Sequence, residues 1–210
     1  MTTMTASARF WDRHAAGYAK RPVPDQAVYE RKLAITRELF RPDSQVLEIG
    51  CGTGTTAILH APHVGHIRAI DISPRMLEIA RGKARDAAID NVDFEQAVID
   101  DFRAPEESYD VVLGLSILHL LEDKETVIAR VHEWLKPGGA FATSTACLGD
   151  GMKWFKWVGQ IGHCLGLIPM VKVFTAEDLA RSLTDAGFAI EHQWRPGPGK
   201  GVFIVARKAA

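Results

Sequence analysis

The run VLEIGCGTG, residues 46–54, limits what this chain can fold into more than any other stretch. Val46, Leu47 and Ile49 make a short apolar strand suited to burial on both faces, interrupted only by Glu48. Three glycines in five positions follow, Gly50, Gly52 and Gly54, and then a helical pattern begins. A buried strand, a bare turn and a helix are the first unit of an open α/β sheet. In such sheets ligands bind outside the carboxyl ends of the strands. The dinucleotide fingerprint needs its third glycine at position 55, where Thr55 stands. A carboxylate inside the strand, Glu48, suits a ligand with an ammonium group better than one with a pyrophosphate.

The rest of the chain repeats the alternation. Strands are expected at 45–50, 66–71, 91–97, 109–116, 139–146, 189–195 and 201–207, and helices at 25–40, 54–61, 74–88, 123–135 and 175–186. Ser73 followed by Pro74 reads as an N-cap and first helical residue. Thr175 with the acids after it opens the last helix, and Gly187 closes it. Strand–helix alternation implies a parallel sheet covered on both faces. PGPGKG, between the last two strands, is too short for a crossover, so they form an antiparallel hairpin. The expected fold is a Rossmann-like, doubly wound α/β sheet of seven strands, mostly parallel, with one antiparallel edge hairpin strand. One domain is expected over 1–210, with an N-terminal helical cap over 1–40 and an insert over 147–174.

Lysine and arginine number 25 against 26 acids, a net charge of -1, so nothing marks the chain as a nucleic-acid binder. Cys51, Cys147 and Cys164 form no Cys-x-x-Cys pair, which argues against a disulfide framework and a structural zinc site. Neither a signal-peptide core nor an 18-residue apolar run occurs, and the expected location is cytoplasmic.

VLEIGCGTG, then AIDISPRML, YDVVLGLSILHLL and WLKPGG, resemble the ordered motifs of class I S-adenosylmethionine-dependent methyltransferases over residues 45–145. The resemblance implies S-adenosyl-L-methionine as cofactor. Gly50, Cys51, Gly52 and Gly54 would then admit its methionine and ribose parts, and Glu48 would hold the amino group. Asp71 would bind the ribose hydroxyls, with Ile72 and Met76 along the adenine. Leu115 and Ser116 would close the methionine side. Many relatives place an acid after the third strand to read the adenine. Here Ala97 or Val98 stands at that place, so either the backbone of Val98 and Ile99 takes over, or Asp100 does. Tyr18 would fold over the sulfonium, a role an aromatic face suits.

His119, just past the fourth strand, is the candidate general base; its alternative is packing. Tyr18, likewise, is either a cofactor lid or a cap on the sheet. His60, His63 and His66 have tempting intervals, but Pro62 breaks the helix, so a solvated loop and no metal site is the expectation. Cys51 reads as a small filler. In the insert, Trp154, Trp157, Val158, Ile161, Leu165 and Ile168 share one helical face, and Lys153, Lys156, Gln160 and His163 the other. That pattern fits peripheral membrane contact through 151–169, a lid over an acceptor pocket, or plain core. The resulting reading is methyl transfer to a small apolar or amphipathic acceptor, lipid-like or quinone-like. A soluble polar metabolite, a nicotinamide-dependent oxidoreductase and a non-catalytic cofactor binder are the alternatives.

Overall fold

The computed structural model describes residues 6–151, 168–197 and 199–210. It contains one seven-stranded sheet of order β3-β2-β1-β4-β5-β7-β6. Two compact units divide the chain, one ending at Phe102 and the other beginning at Arg103.

The first unit holds β1 (Gln45–Ile49), β2 (His66–Asp71) and β3 (Val92–Gln96), paired in parallel. Val46, Leu47, Ile49, Ile67 and Ile70 are buried because strands covered on both faces need apolar side chains on both. Four helices accompany them: α1 (Ala6–Ala19), α2 (Gln26–Arg37), α3 (Thr55–His60) and α4 (Pro74–Asp86). The α4 start is the expected one. Ser73 accepts the Met76 N–H at 3.1 Å, and Pro74 is the first helical residue.

In the second unit β4 (Tyr109–Leu115) pairs in parallel with β5 (Leu135–Thr145), and β7 (Val202–Lys208) runs antiparallel to both β5 and β6 (Phe188–Trp194). The hairpin is therefore at the sheet edge, with β7 inserted inside β6. β5 starts four residues before the expected 139. Leu135 already pairs with Tyr109, and the register then shifts across Pro137 and Gly138 before Ala140 meets Val111. Helices α5 (Lys124–Trp134) and α6 (Ala176–Asp185) pack here, and α6 opens with a reciprocal Thr175–Asp178 capping box. Most of the aromatic insert, 152–167, lies outside the described residues, so its apolar stripe has no structural counterpart here. Among the described residues no helix is long and apolar enough to cross a membrane.

The histidine run departs from the solvated loop expected of it. His60 ends α3 and is fully buried, and its Nε2 lies 3.0 Å from the Thr36 hydroxyl of α2. That hydroxyl gives its own proton to the carbonyls of Lys32 and Leu33, so Nε2 is the protonated nitrogen. Pro62 does end α3, but only after His60 has turned inward beside the Phe40 ring. His66 pairs with Asp93 across β2 and β3, and only His63 is fully exposed. No group of three metal-ligating side chains occurs among the described residues.

His60 Nδ1 is buried without a partner. Burial, then the charges of Arg37 and His63, push its pKa from 6.5 down to about 3. Between these values the unfolded chain binds a proton that the folded chain refuses. The stability His60 contributes is thus complete above pH 6.5 and is lost as pH falls toward 3. In thermal denaturation from pH 7 down to 4, His60→Gln should lose less Tm than the wild type. Identical slopes would remove His60 from the acid response.

Candidate functional site

The cradle of the first unit is built around three glycines in the left-handed region, Gly50 (φ 69°), Gly52 (φ 54°) and Gly54 (φ 71°). Side chains rarely tolerate that backbone. Gly54 also has no room: a Cβ would lie 2.7 Å from the Ala80 Cβ and 2.8 Å from the Phe94 ring. The glycines thus let α3 begin tight against α4 and β3 while leaving the turn bare.

Glu48 is only 3% exposed. The backbone N–H of Ala57 donates to its carboxylate, which supplies the cap that Gly54, at the N-cap of α3, cannot. Its Oε2 is buried with no partner. Desolvation first, and then the nearby charge of Asp71, push its pKa up to about 8. Asp71, at the end of β2, is held by the backbone. Its Oδ2 accepts the Gly52 N–H at 2.8 Å and its Oδ1 accepts the Ser73 N–H at 2.9 Å. Burial still raises its pKa despite those bonds. Each oxygen keeps lone-pair capacity for a further donor.

No cation among the described residues pairs with either carboxylate. Lys83, which reaches the turn, gives its protons to the Thr53 and Thr55 hydroxyls, both at 3.0 Å. A pyrophosphate would meet two acids here. A ligand with an ammonium group and a pair of vicinal hydroxyls meets an orphaned carboxylate oxygen and a rigidly held acceptor. The residues present therefore fit S-adenosylmethionine.

Tyr18 of α1 lies over this turn, with a ring carbon 3.9 Å from where a Gly52 Cβ would be. The ring remains 47% exposed. Burial, then Asp71 and Glu48, raise its hydroxyl pKa. Tyr29 of α2 bonds Thr56 Oγ1 at 3.0 Å, and Glu48 and Tyr18 both contribute to its raised pKa. Cys51 is buried and its thiol pKa is pushed up by desolvation, as a filler requires. Met76 is buried in α4, and Ile72 is half-buried. The Val98 carbonyl accepts from Asp101 and Phe102, which closes a turn just past β3. Val98 and Ile99 are half-buried there, and Asp100 is exposed.

In the second unit, β4 ends at Leu115, and Ser116 takes φ 63°, held by its N–H to the Ser144 carbonyl at 2.7 Å. A non-glycine residue in that conformation is strained. The next turn carries His119. Its Nδ1 is buried without a partner, and burial pushes its pKa down to about 4, so the ring is neutral near pH 7. Its carbonyl accepts the Lys172 N–H at 2.8 Å. Sequence reasoning missed Asp12, Tyr29 and Lys83, which reach this cradle from helices distant in the chain.

Residues 46–139 match a family model described as a methyltransferase domain. An uncharacterized methyltransferase of Bacillus subtilis (strain 168), YcgJ, is 30% identical over 101 residues, covering 48% of this chain and 40% of the relative. A malonyl-[acyl-carrier protein] O-methyltransferase of Paenibacillus sp. (strain JDR-2) is 26% identical over 155 residues, covering 70% and 56%. The chain thus spans about half the length of these curated relatives. The crystal structure of the Bacillus subtilis YcgJ protein superposes with a TM-score of 0.71 at 16% identity, covering 86% of this chain and 99% of that one. Over residues 46–139 the chain thus matches a methyltransferase-domain family, and its sheet has the fold of the class I S-adenosylmethionine-dependent methyltransferases.

The Glu48 geometry yields a pH signature. In the free protein the folded state keeps a proton that the unfolded state has lost between pH 4.5 and about 8. The stability tied to this group is therefore complete at low pH and falls as pH rises through 8. Glu48→Gln should raise Tm relative to wild type at pH 8.5 and not at pH 5. An ammonium ligand would expel the proton. Calorimetry of S-adenosylhomocysteine near pH 7, in buffers of different ionisation enthalpy, should show proton release in wild type and none in Glu48→Gln. Equal proton release in both proteins would contradict this account.

Proposed function

We propose that this chain transfers a methyl group from S-adenosylmethionine to a small apolar or amphipathic acceptor. The orphaned Glu48 Oε2, in a cradle with no cation paired to it among the described residues, carries the cofactor half of this reading. The fold alone does not, since a chain described as the [4+2]-cyclase SpnF matches with a TM-score of 0.71 at 20% identity.

When bound, S-adenosylmethionine supplies an electrophilic methyl on a sulfonium. Glu48 would anchor the ammonium and Asp71 the ribose hydroxyls. Tyr18 would set an aromatic face against the sulfonium and exclude water. Holding both partners in near-attack geometry supplies much of the barrier reduction. His119, neutral and with an unpartnered nitrogen, would take the proton from a hydroxyl or carbon acid.

For the acceptor, support comes from the aromatic stripe in the sequence of the insert and from the names of relatives. These include a ubiquinone/menaquinone biosynthesis C-methyltransferase and a geranyl diphosphate methyltransferase. An arsenite methyltransferase is also among them. Metalloid capture wants accessible thiolates. Among the described residues, Cys51 and Cys147 are instead buried, with thiol pKa values pushed up, that of Cys147 to about 11; Cys164 lies outside the described residues.

Asp71→Ala should weaken S-adenosylhomocysteine binding by about 1.5–3 kcal/mol, the loss of hydrogen bonds to a charged group. His119→Ala should lower kcat by roughly 10²-fold or more with cofactor affinity nearly intact. Labelled-methyl transfer into the organic phase of a cell extract tests the acceptor class. Label confined to the aqueous phase would favour the polar-metabolite alternative, and full binding by Asp71→Ala would discard the ribose assignment.

A further inference from the structure

Asp12 lies in the middle of α1 and is absorbed by none of the roles above. Its Oδ1 accepts from the Ser73 hydroxyl in a short hydrogen bond and from the Arg75 N–H at 3.2 Å. Ser73 is the residue that caps α4 through Met76 and that donates its own N–H to Asp71 Oδ1. Asp71 Oδ2 in turn holds the Gly52 N–H. A continuous relay therefore runs from α1 through Ser73 and Asp71 to the glycine turn.

The same helix reaches that turn a second time. Tyr18 stands six residues beyond Asp12, about 9 Å along the helix axis. Its ring covers Gly52, and Trp11 braces it edge-on with ring centroids 6.3 Å apart. Gly52 is thus the meeting point of both paths from α1: the carboxylate relay through Asp71, and the aromatic ring. The anchor is fixed in angle as well as distance, because two donors on neighbouring residues converge on one carboxylate oxygen. Rotating α1 by one residue would break both bonds and carry Tyr18 off the turn.

We propose that Asp12 is a positioning residue for the cofactor cradle: it locks α1 onto the head of α4, and so sets the Tyr18 ring over Gly52 while holding Asp71 in its acceptor orientation. This rests on the cofactor reading above. A carboxylate that merely capped α4 would stabilise that helix and leave Tyr18 indifferent to it. Asp12 instead couples the two. The Ser73 hydroxyl gives its proton to Asp12 and accepts the Met76 N–H, while the Ser73 backbone N–H donates to Asp71, so one residue joins all three. Asp12 also adds its charge to the negative field at Asp71.

A double-mutant cycle reads this coupling. S-adenosylhomocysteine affinity is measured by calorimetry for wild type, Asp12→Ala, Tyr18→Ala and the double variant. Each single change should weaken binding by about tenfold, and the double should be within about twofold of the weaker single, as residues acting through one another require. Asp12→Asn, whose amide oxygen still accepts from Ser73 and Arg75, should recover to within about threefold of wild type. Additive losses, or unchanged affinity in Asp12→Ala, would overturn the proposal. Amide hydrogen exchange in the free protein gives a second reading. Exchange at Gly52 and Met76 should be faster in Asp12→Ala and near normal in Asp12→Asn. If Asp12→Ala does not fold, Ser73→Ala interrupts the relay one link further on and should speed Gly52 exchange in the same way. Exchange unaffected by these changes refutes the relay. If wild type fails to bind S-adenosylhomocysteine but Gly52 exchange responds to Asp12→Ala, the cofactor reading falls and the positioning role stands.

Discussion

Two carboxylates behind a bare turn, Glu48 buried and Asp71 half-buried, with no cation among the described residues to answer them, are the interaction on which the rest of this cradle depends. Burying a charge without a partner is expensive, and a protein ordinarily pairs it or neutralises it. Glu48 is only half served, by the Ala57 N–H, and a proton replaces the missing partner. Asp71 is served by backbone amides alone. Lys83 lies close enough to correct the imbalance, yet it is spent on two threonine hydroxyls. The outcome is a site whose electrostatics favour a cation before any ligand arrives.

That imbalance is tolerable because the turn around it is rigid. Gly54 cannot gain a Cβ without meeting Ala80 and Phe94, so α3, α4 and β3 close on it from two sides. Asp71 braces the turn, since the amides of Gly52 and Ser73 converge on it, and on the proposed reading it would also accept from the ligand. A residue with two such duties cannot swing away to find solvent. The strain at Ser116 in the second unit follows the same pattern, where a backbone hydrogen bond to Ser144 holds an unfavourable dihedral in place.

Much of this was legible in the sequence because it is local. The period of apolar residues located all seven strands to within a few positions, and Ser73–Pro74 and Thr175 marked helix starts through hydrogen bonds that span three residues. β5 was expected only from 139, whereas the extended chain already runs through Pro137 and Gly138 with a register shift. His60 was misjudged because Pro62 signals a break but not which way the preceding side chain points. Asp12, Tyr29 and Lys83 were invisible for a different reason. Their partners Ser73, Thr56 and Thr53 lie 27 to 61 residues away, and only the packing of helices brings them together.

The division between local and distant signals bears on what sets the acceptor. The family match covers residues 46–139, which include the glycine turn, Asp71 and His119 but neither α1 nor α2. Yet both helices send side chains to the elements around the glycine turn: Tyr18 to the turn itself, Asp12 to the head of α4 and Tyr29 to Thr56 of α3. The glycine turn, Glu48 and Asp71 thus lie inside the matched stretch, while α1 and α2 lie outside it. Of the side chains these helices supply, Asp12 is tied to Asp71 through Ser73, whereas Tyr29 is bonded to Thr56. The names of relatives run from an arsenite methyltransferase to a phosphoethanolamine N-methyltransferase and a ubiquinone/menaquinone biosynthesis C-methyltransferase. On the proposed reading, Glu48 and Asp71 would fix what donates the methyl group, and the helices laid over them would be where the acceptor is chosen.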